Sequence, residues 1–156
     1  MSQSEILKRI AEAIEKMSPV DLEPPNFDES NYFVWSSSPD SLNPTKDVKV
    51  LDVNYLFGIE GLKDILIENT RQFAEGYSAN NALLWGARGM GKSSLVVSVC
   101  ALFSEKKLKL IEISREDLGS LSKLISLIKP SPYRFIIFCD DLSFGTDESE
   151  YKTLKA

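Results

Sequence analysis

The sequence has no histidine among its 156 residues and only two cysteines. The missing histidine excludes His-based acid–base catalysis, the Ser-His-Asp triad and every zinc site that uses imidazole. Cys100 and Cys139 each lie inside an apolar segment. We therefore predict that both are buried thiols in a reducing compartment rather than disulfide partners.

Long apolar runs and excess positive charge are also missing. No apolar run approaches the roughly 18 residues that a membrane-spanning helix needs, and the N-terminus lacks the apolar core of a signal peptide. The net charge of −5 disfavours a nucleic-acid binder that neutralises many phosphates. The basic cluster at 106–109 follows a predicted helix, so we interpret its charges as complementing the helix dipole. These features predict a cytoplasmic protein that binds neither membranes nor nucleic acids.

The chain divides into three parts by composition. Residues 1–17 are predicted to form an amphipathic helix, because apolar side chains recur at helical spacing over 4–17; it packs on its own domain or binds a partner. Residues 18–47 hold five of the seven prolines and are predicted to be a linker or an arm. The apolar patch of this arm, "NYFVWSS" at 31–37, is expected to dock as a short strand or as an anchor. Residues 48–156 form the third part.

Strands and helices alternate in the third part, which predicts an α/β fold with right-handed βαβ units and a parallel sheet. The predicted helices are 58–76, 92–105 and 116–129, and the predicted strands are 81–86, 108–114 and 134–139.

A glycine-rich loop lies between the first of these strands and the helix that follows it. Gly86, Gly91, Lys92 and Ser93 match the phosphate-loop pattern G-x-x-x-x-G-K-[ST]. Glycines allow the backbone N–H groups to curl around an anion, and the next helix directs its positive end at the same place. We predict that Lys92 contacts the β- and γ-phosphates and that Ser93 binds Mg²⁺. The nucleotide-binding set is Gly86, Ala87, Arg88, Gly89, Met90, Gly91, Lys92, Ser93 and Ser94.

Two carboxylates follow the apolar strand at 134–139. Asp140 is placed to hold the Mg²⁺ shell together with Ser93. Asp141 is expected to orient or deprotonate the attacking water, so Asp141 and Lys92 are the predicted catalytic residues. A simple N-cap is the other interpretation of this acidic pair. The [NT]-K-x-D motif of GTPases is missing after the pair, which makes ATP the expected nucleotide.

Several stretches together resemble a known family. They are "LFGIEGLKDILIENTRQFAEG", "ANNALLWGARGMGKSSL", "LKLIEIS", "RFIIFCDDLSF" and "YKTLKA". The combination is similar to bacterial predicted ATPases of the AAA superfamily, and more narrowly to the group called domain of unknown function 815. The resemblance implies a three-layer P-loop ATPase domain with a parallel sheet, with adenine near Leu56 to Ile59.

Domains of this type continue past the acidic strand with a sensor strand, a further strand and a helical lid, and a later arginine completes a neighbour's site. In their strand order, 5-1-4-3-2, the sensor strand lies between the phosphate-loop strand and the acidic strand. The sequence ends at Ala156, so we expect an incomplete domain whose own hydrolysis is very weak and whose remaining half comes from a second polypeptide. Two other hypotheses stay open: a non-enzymatic, partner-binding module with a residual loop, and, more weakly, a small-molecule P-loop kinase.

Overall fold

The computed structural model of the protein describes residues 22–140. The predicted N-terminal helix, Asp141 and the stretch "YKTLKA" lie outside these residues. Within them, no helix is both long enough and apolar enough to cross a bilayer.

Within residues 22–140, four strands form one mixed sheet: β1 (Tyr32–Ser37), β2 (Asp40–Pro44), β3 (Leu108–Ile113) and β4 (Arg134–Cys139). Their order in the sheet is β2-β1-β3-β4. β3 pairs in parallel with β1 and with β4, whereas β2 pairs antiparallel with β1 through a tight hairpin. The α/β class is therefore confirmed. The sheet is mixed rather than wholly parallel, because the hairpin adds an antiparallel edge.

In the described part of the chain, three helices cover the sheet: α1 (Glu60–Ala74), α2 (Lys92–Leu102) and α3 (Leu121–Ile128). Short 3₁₀ turns occupy Val53–Tyr55, Ser104–Lys106 and Leu118–Ser120. Side chains alternate between the two faces along each strand, so the sheet separates two apolar clusters. The α3-side cluster comprises Phe27, Phe33, Trp35, Leu42, Ile111, Ile113, Leu124 and Ile128. The α2-side cluster comprises Val53, Leu56, Leu66, Leu95, Val96, Val99, Cys100 and Leu110.

The apolar patch of the proline-rich segment docks as the sequence predicted. It forms β1, and its neighbour β2 completes a hairpin over 32–44. Phe33 and Trp35 are each only 1% exposed, because they face the α3-side cluster opposite Ile111 and Ile113. Residues 32–44, within the range predicted to be a linker or an arm, thus share a sheet with the strands that follow the glycine loop.

The predicted strand over 81–86 is wrong. Residues 81–85 have no regular secondary structure and pair with no strand in the described part of the chain. A strand needs a hydrogen-bonded neighbour, and β4 pairs only with β3 within 22–140. Leu83 is consequently 65% exposed and Trp85 is 87% exposed.

The two cysteines lie at different depths in this fold. Cys100 is buried and Cys139 is partly buried, and both are free thiols as predicted. Burial raises the pKa of Cys100 to about 12.

The interpretation of the cluster at 106–109 as helix-end charges is wrong for Lys109. This lysine is buried in β3, where its ammonium donates to the Ser30 carbonyl and Asn31 Oδ1, both at 2.9 Å, and lies over the Tyr133 ring.

Asp117 ties the end of β1 to the turn that precedes α3. Ser37 donates both its hydroxyl and its N–H to Asp117 Oδ1, and the Ser114 hydroxyl donates to Oδ2 at 2.7 Å. These hydrogen bonds to the charged carboxylate lower the pKa of Asp117. The carboxylate thus joins the last residue of β1 to the residue that follows β3.

The substitution Asp117→Asn should lower the free energy of unfolding by about 1 kcal/mol at pH 7, because an amide accepts these hydrogen bonds less strongly. A carboxyl with a lowered folded-state pKa stabilises above its unfolded pKa, and this contribution is lost as pH falls through the folded-state value. The difference from the unsubstituted protein should therefore shrink in acid. Urea unfolding at pH 7 and about pH 3 checks both points, with the exposed Asp64→Asn as control. An equal difference at the two pH values would contradict the electrostatic explanation.

Candidate functional site

The glycine loop holds its backbone in conformations that favour glycine. Gly86, Gly89 and Gly91 have φ of 142°, 80° and 79°. Gly91 lies in the left-handed region and is the N-cap of α2, with no side chain capping the first turn. Because glycine has no side chain, Gly91 itself caps none of the first N–H groups of α2, and the first N–H groups of a helix are the ones that can receive an anion.

Helix α2 positions the loop through its own packing. Leu95 and Val99, one and two turns into the helix, are 0% and 1% exposed in the α2-side cluster. The apolar character of "LVVSVCAL" buries α2 against the sheet and α1. The first turn of α2, with Lys92 and Ser93, is held beside the end of the sheet as a result.

Lys92 closes the loop on itself. Its ammonium donates to the carbonyl oxygens of Gly86 and Ala87, at 3.0 and 2.8 Å. The lysine spans the loop from its last position back to its first two residues. A positive charge thus lies inside the ring of loop backbone, where an anion would be attracted.

Ser93 and Asp140 meet although they are 47 residues apart in sequence. The Ser93 hydroxyl donates to Asp140 Oδ2 at 2.7 Å. Ser93 lies in the first turn of α2, and Asp140 directly follows β4. The pair therefore joins the helix that begins at the loop to the carboxyl end of a parallel strand.

The oxygen atoms of this pair suit a hard cation. Mg²⁺ prefers oxygen ligands, keeps several waters and takes only one or two protein carboxylates when it also binds phosphates. Within residues 22–140 no group of three His, Cys, Asp or Glu side chains could hold a metal by itself. The described part of the chain thus has no closed metal cage, and a cation here would draw most of its ligands from water and a bound anion.

The structure places most of the other predicted site residues in or next to the loop. Ala87, Arg88, Gly89 and Met90 lie in the exposed loop, and Ser94 follows Ser93 in the first turn of α2. Asp141 lies outside the described residues, so its catalytic role stays a prediction.

The segment at 56–59 lies beside the loop. Leu56 is buried in the α2-side cluster, and its Cδ2 atom would be 3.5 Å from a Cβ placed on Gly91. Phe57 is exposed, and the Gly58 N–H donates to Glu60 Oε1 at 3.0 Å. Spacing alone gives no signal for this contact, because it joins two segments that are distant in sequence.

Comparison with known proteins gives one match. No curated protein and no solved structure matches the chain. A family model matches residues 28–156, a range that includes the hairpin, the glycine loop and Asp140. The chain therefore belongs to the family described as Protein of unknown function (DUF815).

Proposed function

We propose that this protein binds ATP with Mg²⁺ at the loop of residues 86–94. The observation that carries the proposal is the hydrogen bond between Ser93 and Asp140. In a phosphate loop followed by an acidic strand, the hydroxyl and the carboxylate must lie together because both serve one metal shell. Two residues 47 positions apart meet at 2.7 Å, which motif spacing alone does not require.

The contacts of Lys92 support the same proposal. Its ammonium is held by two loop carbonyls, a position from which a third N–H bond can reach a bound phosphate. The N-terminal end of α2 adds its partial positive charge at the same place. The phosphates would bind within the loop, and Mg²⁺ would lie between Ser93, Asp140 and the phosphate oxygens.

Hydrolysis is a separate part of the proposal. Asp140 would hold the metal, and Asp141 would activate water, as expected from the family resemblance. The AAA-type nature of the domain is likewise part of the proposal. The proposal includes an arginine supplied by another subunit, an addition that can be worth about 10³–10⁵ in the rate of hydrolysis.

The substitution Lys92→Ala should weaken ATP binding at least about tenfold, equivalent to about 1.4 kcal/mol, because the phosphates lose their cation. Titration with ATP and Mg²⁺ can be followed by the fluorescence of Trp85, which lies next to the loop and is 87% exposed, while Trp35 is buried. The exposed Lys49→Ala is the matched control. A folded, unsubstituted chain that binds no ATP would contradict the proposal and would favour a partner-binding module with a residual loop.

The substitution Asp140→Asn should remove the gain in ATP affinity that Mg²⁺ provides, because an amide is a weaker ligand than a carboxylate. Binding of metal-free ATP should be equal or slightly tighter, since a negative charge near the phosphates is gone. Calorimetric titrations with and without Mg²⁺, with Asp64→Asn as control, separate the two effects. If Asp140→Asn keeps the full dependence on Mg²⁺, Asp140 does not serve the metal.

The proposal includes a second polypeptide that pairs with the free edge of β4. Two features of the described residues support it: β4 pairs only with β3, and residues 82–85 pair with no strand while Leu83 and Trp85 are exposed. An apolar strand with an open edge invites pairing with another chain. A strand inserted between β4 and residues 82–85 would cover both.

Amide hydrogen exchange tests this open edge. In the isolated chain, alternate amides of residues 134–139 should exchange fast because they face away from β3, while the amides of β3, paired on both sides, stay protected. Uniform protection along β4 in the isolated, monomeric chain would show that its edge is already paired and would contradict the need for a partner strand.

A further inference from the structure

The α3-side face of the sheet is unevenly covered. Helix α3 packs over the middle of the sheet, where Leu124 and Ile128 are buried against the α3-side cluster. Phe135, Ile137 and Cys139 of β4 contact the same cluster, yet all three remain partly exposed. Among the described residues, one short helix thus leaves a row of apolar side chains along β4 incompletely covered.

A groove of about 470 Å³ lies beside the C-terminal end of α3, at the start of β4. Its apolar wall includes Ile125, Tyr133 and Phe135, and two cations, Lys129 and Arg134, contribute to its lining. Ile125 is 45% exposed although it belongs to an apolar helix. The groove and the row on β4 therefore form one apolar surface with a basic side.

We propose that residues 4–17, folded as an amphipathic helix, dock on this surface along β4. The position of Leu22 carries the proposal: this first described residue packs against the α3-side cluster. Only residues 18–21 separate it from Met17, and five residue steps span at most about 17–18 Å. A helix that ends at Met17 is thereby kept within a short reach of this face.

The size and pattern of the segment fit the surface. A helix of 14 residues is about 21 Å long, and a six-residue strand such as β4 is about 20 Å long. Ile6, Ile10, Ile14 and Met17 recur at intervals that place them on one side of a helix. Glu5 and Glu12 lie on the opposite, polar side, which faces solvent when the apolar side docks.

The proposal selects between the two interpretations of the N-terminal helix, packing on its own domain and binding a partner. Residues 141–156 are a weaker occupant, because their large apolar residues are few and irregularly spaced: Leu142, Phe144, Tyr151 and Leu154. A second copy of the chain is the other competing occupant, and dilution would remove it.

Thiol labelling of the full-length protein tests the proposal. Cys139 lies on the proposed docking surface, whereas Cys100 lies in the α2-side cluster and reports global unfolding. The double substitution Ile10→Gln and Ile14→Gln should speed maleimide labelling of Cys139 about tenfold, because the helix loses its apolar contacts. Glu12→Gln, which gives the same residue on the polar side, should leave the rate unchanged, and Cys100 should stay protected in both variants.

Three results would overturn the proposal. They are an unchanged Cys139 rate in the folded double variant, a rise caused by Leu154→Gln instead, and protection of Cys139 that disappears on dilution. A measurement on the unsubstituted protein covers the case in which the double variant unfolds. A lysine-specific cross-linker should join Lys8 or Lys16 to Lys129 within one molecule, and the absence of that product would also reject the docking.

Discussion

The parallel pairing of β3 with both of its neighbours is the interaction on which the rest of this structure depends. β3 places Leu110 in the α2-side cluster and Ile111 and Ile113 in the α3-side cluster, so one strand joins both halves of the core. Its pairing with β4 runs from Leu108 opposite Arg134 to Ile113 opposite Cys139. Because Asp140 follows Cys139 directly, the register of this one pairing determines where the carboxylate lies.

The site is then assembled from two independent sources of precision. The pairing of β3 with β4 places Asp140. The burial of α2 in the α2-side cluster places Ser93. Their hydrogen bond is the point at which these two constraints meet. Since Asp140 is exposed and Ser93 is only partly buried, water and an incoming anion can reach the pair. A cation entering between them would replace one hydrogen bond with two coordination bonds, and little backbone movement would be needed.

Local signals in the sequence predicted a large part of this arrangement. Helical spacing predicted α1, and short apolar runs predicted β3 and β4, because the periodicity and length of apolar runs distinguish these elements. The loop motif and the acidic residue after β4 gave Lys92, Ser93 and Asp140, because the chemistry of phosphate and magnesium constrains residue type and spacing. The structure brings Ser93 and Asp140 together and leaves Asp141 outside its described range.

The errors arose where structure depends on distant partners. "NALLWG" has the composition of a strand, but residues 81–85 find no paired neighbour within the described chain. Lys109 belongs by sequence to a basic cluster, yet it is buried because acceptors from residues 30 and 31 lie beside β3. The sequence did not predict the full hairpin, which lies in the proline-rich segment. The reason is again a distant partner, because β1 is stabilised by its pairing with β3, more than 70 residues later. Periodicity reports which face of an element is apolar, and it carries no information about which neighbour is present.

The segment at 81–85, which is unpaired within the described residues, bears on how the loop of the proposed site is positioned. A loop that follows a paired strand is positioned by the sheet. Here residues 81–85 form no strand in the described chain, yet the Ser93–Asp140 contact is present. The position of the loop must then come from its other end, through α2 and the contact of Leu56 with Gly91. The proposed binding of phosphate and metal would depend on that end, because Lys92 and Ser93 belong to it. A strand that paired with residues 81–85 would act on the first residues of the loop, so in the proposed ATPase it would alter hydrolysis while the groups proposed to hold the nucleotide stay in place.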